Sequence, residues 1–221
     1  MKKNSKGVRR VLIVDDHPMM RNGLTQLIDT EPDLKAAWQA DNAGQAMEII
    51  ASQRPDLVLV DISLPDRSGV ELIKDIHSLH PGMPILVFSM HDETLYAERV
   101  LRAGARGYIM KQEGGNTLLQ AMRQVLAGHI YLSSEMSAKA LEVFSGHRPD
   151  VQSPVERLSD REFEVFQLIG QGFGTREIAH RLHLSVKTVE VHRANIRKRL
   201  ELKTGHDLIR YAIRWTEVQK P

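Results

Sequence analysis

Four short apolar runs in this chain each stop at a polar side chain able to act on a phosphoryl group or a metal ion. Val11-Leu12-Ile13-Val14 stops at Asp15-Asp16, Leu57-Val58-Leu59-Val60 at Asp61, Ile85-Leu86-Val87-Phe88 at Ser89, and Gly107-Tyr108-Ile109-Met110 at Lys111. If the runs are parallel strands, these ends share one edge of a sheet, and in open α/β folds ligands collect at that edge. Two or three carboxylates gathered there would repel and raise each other's pKa unless a cation lies among them. An oxygen-only donor set with room for water suits Mg²⁺ better than an all-protein Ca²⁺ cage. With the charge neutralised, Asp61 can attack a phosphoryl group, as carboxylates do when aspartyl phosphates form. The metal and Lys111 would stabilise the transferring oxygens, and the Ser89 hydroxyl would donate a hydrogen bond. A lone strand-end aspartate is more often a cap or a turn former; the convergence of the other strand ends is what favours chemistry here.

The elements that must position these groups follow from periodicity. His17-Pro18 makes a turn, and residues 19–30 have helical spacing, with Met20, Leu24, Leu27 and Ile28 on one face. Residues 34–40 form a second, weaker strand. Asn42 caps a helix to about Gln53 that carries Ala46, Ile49 and Ile50 inward. After Asp61, Pro65 and Gly69 break the strand before a helix to about His80, stopped by Pro81-Gly82. A polar loop, His91-Asp92-Glu93, precedes a helix around residues 95–103, and a last helix spans about 116–127. Strand and helix alternate five times, which predicts an α/β doubly wound five-stranded parallel sheet.

Residues 9–128 resemble the receiver domain of bacterial two-component response regulators, a flavodoxin-like fold. The resemblance rests on Asp15-Asp16, on Asp61 followed by Leu64-Pro65 and Gly69, on Ser89, and on Tyr108 three residues before Lys111. It implies that Asp61 is the phosphoacceptor. It also implies that Asp16, Asp61 and the Ser63 carbonyl bind Mg²⁺ directly, with Asp15 acting largely through water. Ser89 and Tyr108 would be a switch pair, the ring turning inward behind the hydroxyl, and Lys111 would pair with the phosphate. Ser63 and His91 fall where side chains border the phosphoryl group. Leu64 stands where many relatives have Met, a volume-conserving change.

Residues 129–157 read as a linker with one short helix over 134–144, followed by turn-forming residues such as Gly146, Pro149 and Pro154. Residues 158–221 read as a small all-α unit. Ser159 with Glu162 makes a capping box, and Thr175 caps a short helix. His183-Leu184 makes a turn, and Ser185 caps a helix to about Leu200 with Val189, Ile196 and Leu200 inward. A charged helix face is usually only a solvated face; behind a short helix and a tight turn, this one predicts a helix-turn-helix that enters the major groove. Leu158-Ser159-Asp160-Arg161-Glu162, Glu177-Ile178-Ala179, Leu182, Ser185, Lys187-Thr188-Val189 and His192 are similar to the LuxR-type DNA-binding domain. With the receiver, the chain thus resembles a NarL/FixJ-type regulator. By that resemblance Glu190, Val191 and Ala194 face base edges, while Lys187, Thr188, Arg193, Arg197 and Lys198 mostly meet phosphates. The last helix, about 204–216, is expected to serve both as core and in pairing two such domains.

Charge follows this division. Lys and Arg number 18 against 20 Asp and Glu through Arg157, and 12 against 8 beyond it, so the two parts carry −2 and +4. The basic tail suits a nucleic-acid partner. Cysteine is absent, which excludes disulfides and thiolate metal sites and fits a cytoplasmic, reducing compartment. The basic start precedes an apolar run of four residues, too short for a signal peptide. The pairs His77/His80 and His180/His183 lack an obvious third ligand and read as solvated surface. Asp66 and Arg67 read as solvated turn residues. The expected partners are a sensor histidine kinase, double-stranded DNA and a second copy of the chain, and no turnover is expected beyond self-phosphorylation and slow self-dephosphorylation. Two other classes compete. An Asp-nucleophile phosphohydrolase would usually carry a second carboxylate two residues after Asp61, where Ser63 stands. A receiver working unphosphorylated, as a binding module, would not need the acidic pair, Asp61 and Lys111 together.

Overall fold

The computed structural model describes residues 7–138 and 154–218. The chain divides into two compact units, residues 1–148 and 149–221. In the first, strands β1 (Arg9–Val14), β2 (Leu34–Ala40), β3 (Leu57–Val60), β4 (Ile85–Ser89) and β5 (Gly107–Met110) form one parallel sheet in the order β2-β1-β3-β4-β5. Helices α1 (Pro18–Asp29), α2 (Ala43–Gln53), α3 (Gly69–Leu79), α4 (Glu93–Ala103) and α5 (Gly115–Leu126) make the connections. The central β3 is buried throughout and reads as an unbroken apolar run, whereas edge strand β2 is buried only at Leu34 and Ala40.

Side chains alternate across each strand. Val11, Ile13, Leu57, Leu59, Leu86, Phe88 and Ile109 therefore share one face, where they pack with Leu24 and Ile28 of α1 and Leu118, Met122 and Val125 of α5. Leu12, Val14, Val58, Val60, Val87 and Tyr108 point the other way, all buried, and Ile50, Ile73, Ile76 and Val100 of α2, α3 and α4 are buried as well. Each fully buried aliphatic side chain contributes about 1.5 to 3 kcal/mol.

Two local expectations change. Helix α4 begins at Glu93 rather than near Leu95, because the Asp92 carboxylate accepts the Thr94 N–H (2.8 Å) and starts the helix one turn-residue after the strand loop. Residues 129–138 stay with the first unit. Tyr131 donates its N–H to Arg106 O (2.9 Å) and accepts the Tyr108 N–H (3.1 Å), while the Ser133 N–H donates to the buried Glu93 carboxylate (2.9 Å). Residues 134–138 are helical, and the rest of the helix expected to Phe144 lies outside the described residues.

The second unit packs α6 (Asp160–Gly170), α7 (Thr175–Arg181), α8 (Val186–Arg199) and α9 (Gly205–Val218) after a short 3₁₀ turn at Pro154–Arg157. The Ser159–Glu162 capping box forms: Ser159 N–H donates to Glu162 Oε2 (2.9 Å) and Glu162 N–H to Ser159 Oγ (3.4 Å). Thr175 is the first helical residue rather than the cap; Gly174 precedes it and gives its N–H to Glu177 Oε2 (2.9 Å). Helices α6 and α9 cross at Gly170, where a Cβ would lie 2.6 Å from Ala212 O, so no larger residue fits. Trp215, half-buried, packs edge-on against Phe163 and Phe166, while Ile209 of α9 stays exposed.

Candidate functional site: an acidic pocket and a basic helix

Hydrogen bonding between strands brings the expected groups together. The Asp61 N–H donates to Val14 O (2.8 Å), fixing the end of β3 beside the acidic pair, and the Lys111 N–H donates to Ser89 O (2.8 Å). Helix α3 presses on the same point: a Cβ on Gly69 would lie 2.2 Å from Asp61 O and 2.8 Å from Ile62 Cα. The Asp15 backbone is held by Arg21, whose guanidinium donates to Asp15 O (2.6 Å).

Lys111 Nζ bridges Oδ2 of Asp15 and Oδ2 of Asp61, at 2.6 Å from each. All three side chains are at most 5% exposed, so one cation faces two carboxylates in a poorly solvated site. Burial raises the Asp61 pKa, Lys111 opposes that, and Asp15 adds to it. Burial works against the Lys111 charge too, but the two carboxylates more than offset it and its pKa is raised. Oδ1 of Asp61 is buried and accepts no hydrogen bond. An unpaired oxygen on an underneutralised pair of carboxylates is what a hard divalent cation would satisfy, so the residues present fit Mg²⁺.

Ser89 and Tyr108 are wholly buried. The Tyr108 ring already lies inward, its hydroxyl donating to His91 O (2.8 Å), and burial raises its pKa. Ser63 Oγ lies 3.0 Å from Nε2 of His91, whose pKa is lowered to about 4 by burial and then by Lys111. The imidazole is therefore neutral at pH 7. Its ring also packs on Tyr96 at 4.7 Å between centroids.

Three contributors escaped the sequence reading. His17, taken there only as a turn residue, stands with Asp15, Asp16 and Asp61 such that one ligand atom of each lies within 4.8 Å of the others. Its position directly after the acidic pair was the available signal. Asp66 is not a free turn residue: it accepts the Ala43 and Gly44 N–H groups, both at 3.0 Å, at the amino end of α2. Burial raises its pKa, and those donors more than reverse the effect. Glu93, read as loop, is the buried acceptor for Ser133, as described above, and its pKa is raised by burial.

In the second unit, Ser185 Oγ accepts the Thr188 N–H (3.0 Å) and so starts α8. The turn before it needs His183 at φ 52, a left-handed conformation that lets the Leu184 N–H close on Ala179 O (2.8 Å). Arg161 braces this turn from α6, donating to Leu182 O (2.7 Å). Val189 and Ile196 are buried, and Leu200 only in part. Lys187, Glu190, Val191, Ala194 and Lys198 are exposed, while Thr188, Arg193 and Arg197 are partly so. All eight predicted DNA contacts therefore lie on one helix. Burial, and then the neighbouring Arg197, lowers the Arg193 pKa, against Glu190. A phosphate between the two guanidinium groups would relieve that repulsion.

Two family models match. The response regulator receiver domain covers residues 11–123, and that of bacterial regulatory proteins of the luxR family covers residues 156–212. The chain belongs to the response regulators. The regulator is 34% identical over 210 residues to the oxygen regulatory protein NreC of Staphylococcus haemolyticus (strain JCSC1435), spanning 93% of this chain and 97% of that one. NreC of Staphylococcus carnosus (strain TM300) is 33% identical over the same shares. Among solved structures, a LuxR-family two-component response regulator from Aurantimonas sp. SI85-9A1 is 32% identical with a TM-score of 0.58, covering 63% of the regulator and 99% of that chain. RcsB from Salmonella enterica serovar Typhimurium, bound to promoter rprA with the phosphomimetic BeF₃⁻, matches with a TM-score of 0.61 over 94% of the regulator and 99% of RcsB; at 24% identity it shows likeness of fold. The regulator joins a receiver to a LuxR-type DNA-binding domain, and among the described residues no helix is long and apolar enough to cross a membrane.

Proposed function

We propose that a sensor histidine kinase passes a phosphoryl group to Asp61, and that this modification controls DNA binding by the second unit. The supporting observation is the Asp61 carboxylate itself, buried at the end of β3 with one oxygen on Lys111 and the other without a donor. In the transfer, that free oxygen attacks phosphorus, the N–P bond of the kinase phosphohistidine breaks, and the imidazole leaves with the electron pair. An acyl phosphate forms on Asp61. Lys111 then turns its hydrogen bonds to the phosphoryl oxygens, and Ser89 donates to a third. Asp15, Asp16, Asp61 and the Ser63 carbonyl would hold Mg²⁺, which when bound supplies positive charge to the same oxygens.

The new charge then draws Ser89 and the Tyr108 region into a second arrangement, biasing the receiver between two states. The released or paired DNA-binding units dock α8 in the major groove, with Lys187, Thr188, Arg193, Arg197 and Lys198 on phosphates and Glu190, Val191 and Ala194 toward bases. A dimer on a two-fold operator follows from such docking. The protein acts in the cytoplasm and turns over no external substrate; its chemistry is self-phosphorylation from a donor and slow self-dephosphorylation. The test is uptake of radiolabel from a phosphorylated kinase or acetyl phosphate with Mg²⁺. Wild-type protein takes up one acid-stable, hydroxylamine-labile label, and Asp61→Asn takes up none. Equal labelling of the two proteins would remove Asp61 as the acceptor.

A further inference from the structure

The Mg²⁺ site proposed above needs the Ser63 carbonyl, a backbone atom that only the course of the chain can place. Residues 63–66 leave the end of β3 and are tied on both flanks. On one, Ser63 Oγ lies 3.0 Å from Nε2 of His91, which follows β4. On the other, the Asp66 carboxylate reaches the start of α2, which follows β2, and β2 and β4 lie on opposite sides of β3 in the sheet. Asp66 Oδ1 accepts the N–H groups of Ala43 and Arg67 and Oδ2 that of Gly44, each at 3.0 Å. Between the two ties Leu64 is buried and Pro65 has its φ fixed by its ring, so little slack separates Asp66 from Ser63. The connection from β2 to α2 also holds the acidic pair, because the Asp15 N–H donates to Ala40 O (3.1 Å). Residues 40–44 thus strut both the Asp15 backbone and the loop that carries Ser63. Capping alone does not call for Asp66, since Asn42 accepts the Gln45 N–H (2.8 Å) and starts α2 from its own end.

We propose that Asp66 is a positioning residue: by fastening the loop after β3 to the start of α2, it sets the Ser63 carbonyl in place for Mg²⁺. This rests on the reading of the acidic cluster as a Mg²⁺ site. Asp66 touches neither the ion nor the phosphoryl group, and it acts through the chain between itself and Ser63. Groups that orient a ligand in this way are worth about 10- to 100-fold in metal affinity. Its signature is a loss of Mg²⁺ affinity that depends on the fastening and not on the charge of the carboxylate or on the capping of α2.

The experiment titrates full-length wild-type protein, Asp66→Ala, Asp66→Asn, Asn42→Ala and Asp61→Asn with Mg²⁺ by calorimetry. The ionic strength is about 0.15 M, where exposed charges more than about 8 Å apart are largely screened. The Mg²⁺ dependence of label uptake from acetyl phosphate is measured on the same samples. Asp66→Ala should bind Mg²⁺ about tenfold more weakly and need about tenfold more Mg²⁺ for half-maximal labelling, with the rate at saturating Mg²⁺ within about twofold of wild type. Asp66→Asn keeps an oxygen for Ala43 and Arg67, so it should lose only about threefold. Asn42→Ala removes a cap from the same helix end, leaves the loop fastened, and should bind as wild type does. Asp66→Ala with unchanged Mg²⁺ affinity would leave Asp66 a cap of α2 and overturn the proposal. So would equal weakening by Asp66→Asn and Asp66→Ala, the mark of lost charge, or by Asn42→Ala, the mark of a disturbed helix start. Failure of the cation site reads differently: wild-type protein that binds no Mg²⁺, or Asp61→Asn that binds it as wild type does, overturns the site and the role of Asp66 with it.

Discussion

Gly69 gives the most direct handle on how the fold places Asp61. A Cβ at this position would lie 2.2 Å from Asp61 O and 2.8 Å from Ile62 Cα, both backbone atoms at the end of β3. An ordinary C···O approach is about 3.3 Å, so Gly69→Ala must drive α3 and the strand end apart by about 1 Å. Neither side yields cheaply. The Gly69 N–H donates to Ile62 O at 2.7 Å, and Asp61 is tied through its own N–H to Val14 O. Overpacking of this kind costs about 1 to 3 kcal/mol. A displacement of about 1 Å at a reacting group costs about a hundredfold in rate. The assay pairs thermal unfolding with the single-turnover rate of label uptake from a phosphorylated kinase. Gly23→Ala is the control: a Cβ there meets nothing within 4 Å in the middle of α1, and it should gain about 0.5 to 1 kcal/mol without touching the rate. A Gly69→Ala protein with wild-type melting and labelling would refute the claimed close approach.

Lys111→Met leaves two carboxylates facing each other with their bridging cation gone. It should destabilise the receiver by about 3 to 5 kcal/mol at pH 7, measured by urea unfolding, and adding Asp61→Asn should recover much of the loss; a change under about 1 kcal/mol contradicts the bridge. Glu93 has its pKa raised above 4.5 by burial, against its bond from Ser133, with Glu113 and Glu135 adding to the rise. Its contribution is complete below the unfolded value and is lost as pH climbs through the folded one, so Glu93→Gln should melt above wild type by a margin that widens from pH 4.5 to 7. A flat or narrowing margin would show that the carboxylate is not desolvated. Arg197→Ala should weaken binding to all DNA sequences alike and lower the salt slope by about one, read by fluorescence anisotropy across ionic strength; a loss confined to one operator would make it a base contact.

The receiver was legible because its strands are short apolar runs that end in reactive residues. Asn42, Ser159 and Ser185 likewise mark helix starts by local chemistry that survives in the fold, each side chain accepting the N–H three residues on. What escaped was long-range pairing that no periodicity encodes. Asp66 serves the start of α2 from 22 or 23 residues away, and Glu93 holds Ser133 from 40 residues away. Tyr131 adds to the edge of β5 with a single residue, too little to read as a strand. Arg161 and Glu164, polar enough to suggest a solvated face, are buried because they pair with each other while Arg161 also serves Leu182 O. The Tyr108 rotamer depends on the distant His91 carbonyl, and helical or strand spacing carries no sign of it.

The switch itself is tested by measuring binding to promoter-containing genomic fragments with and without a phosphoryl donor and Mg²⁺, with sedimentation of the same samples. Wild-type protein should bind selectively and more tightly when phosphorylated, with dimers forming, and Asp61→Asn should show neither response. Equal affinity and equal mass in both states of the wild-type protein would contradict control of DNA binding through Asp61.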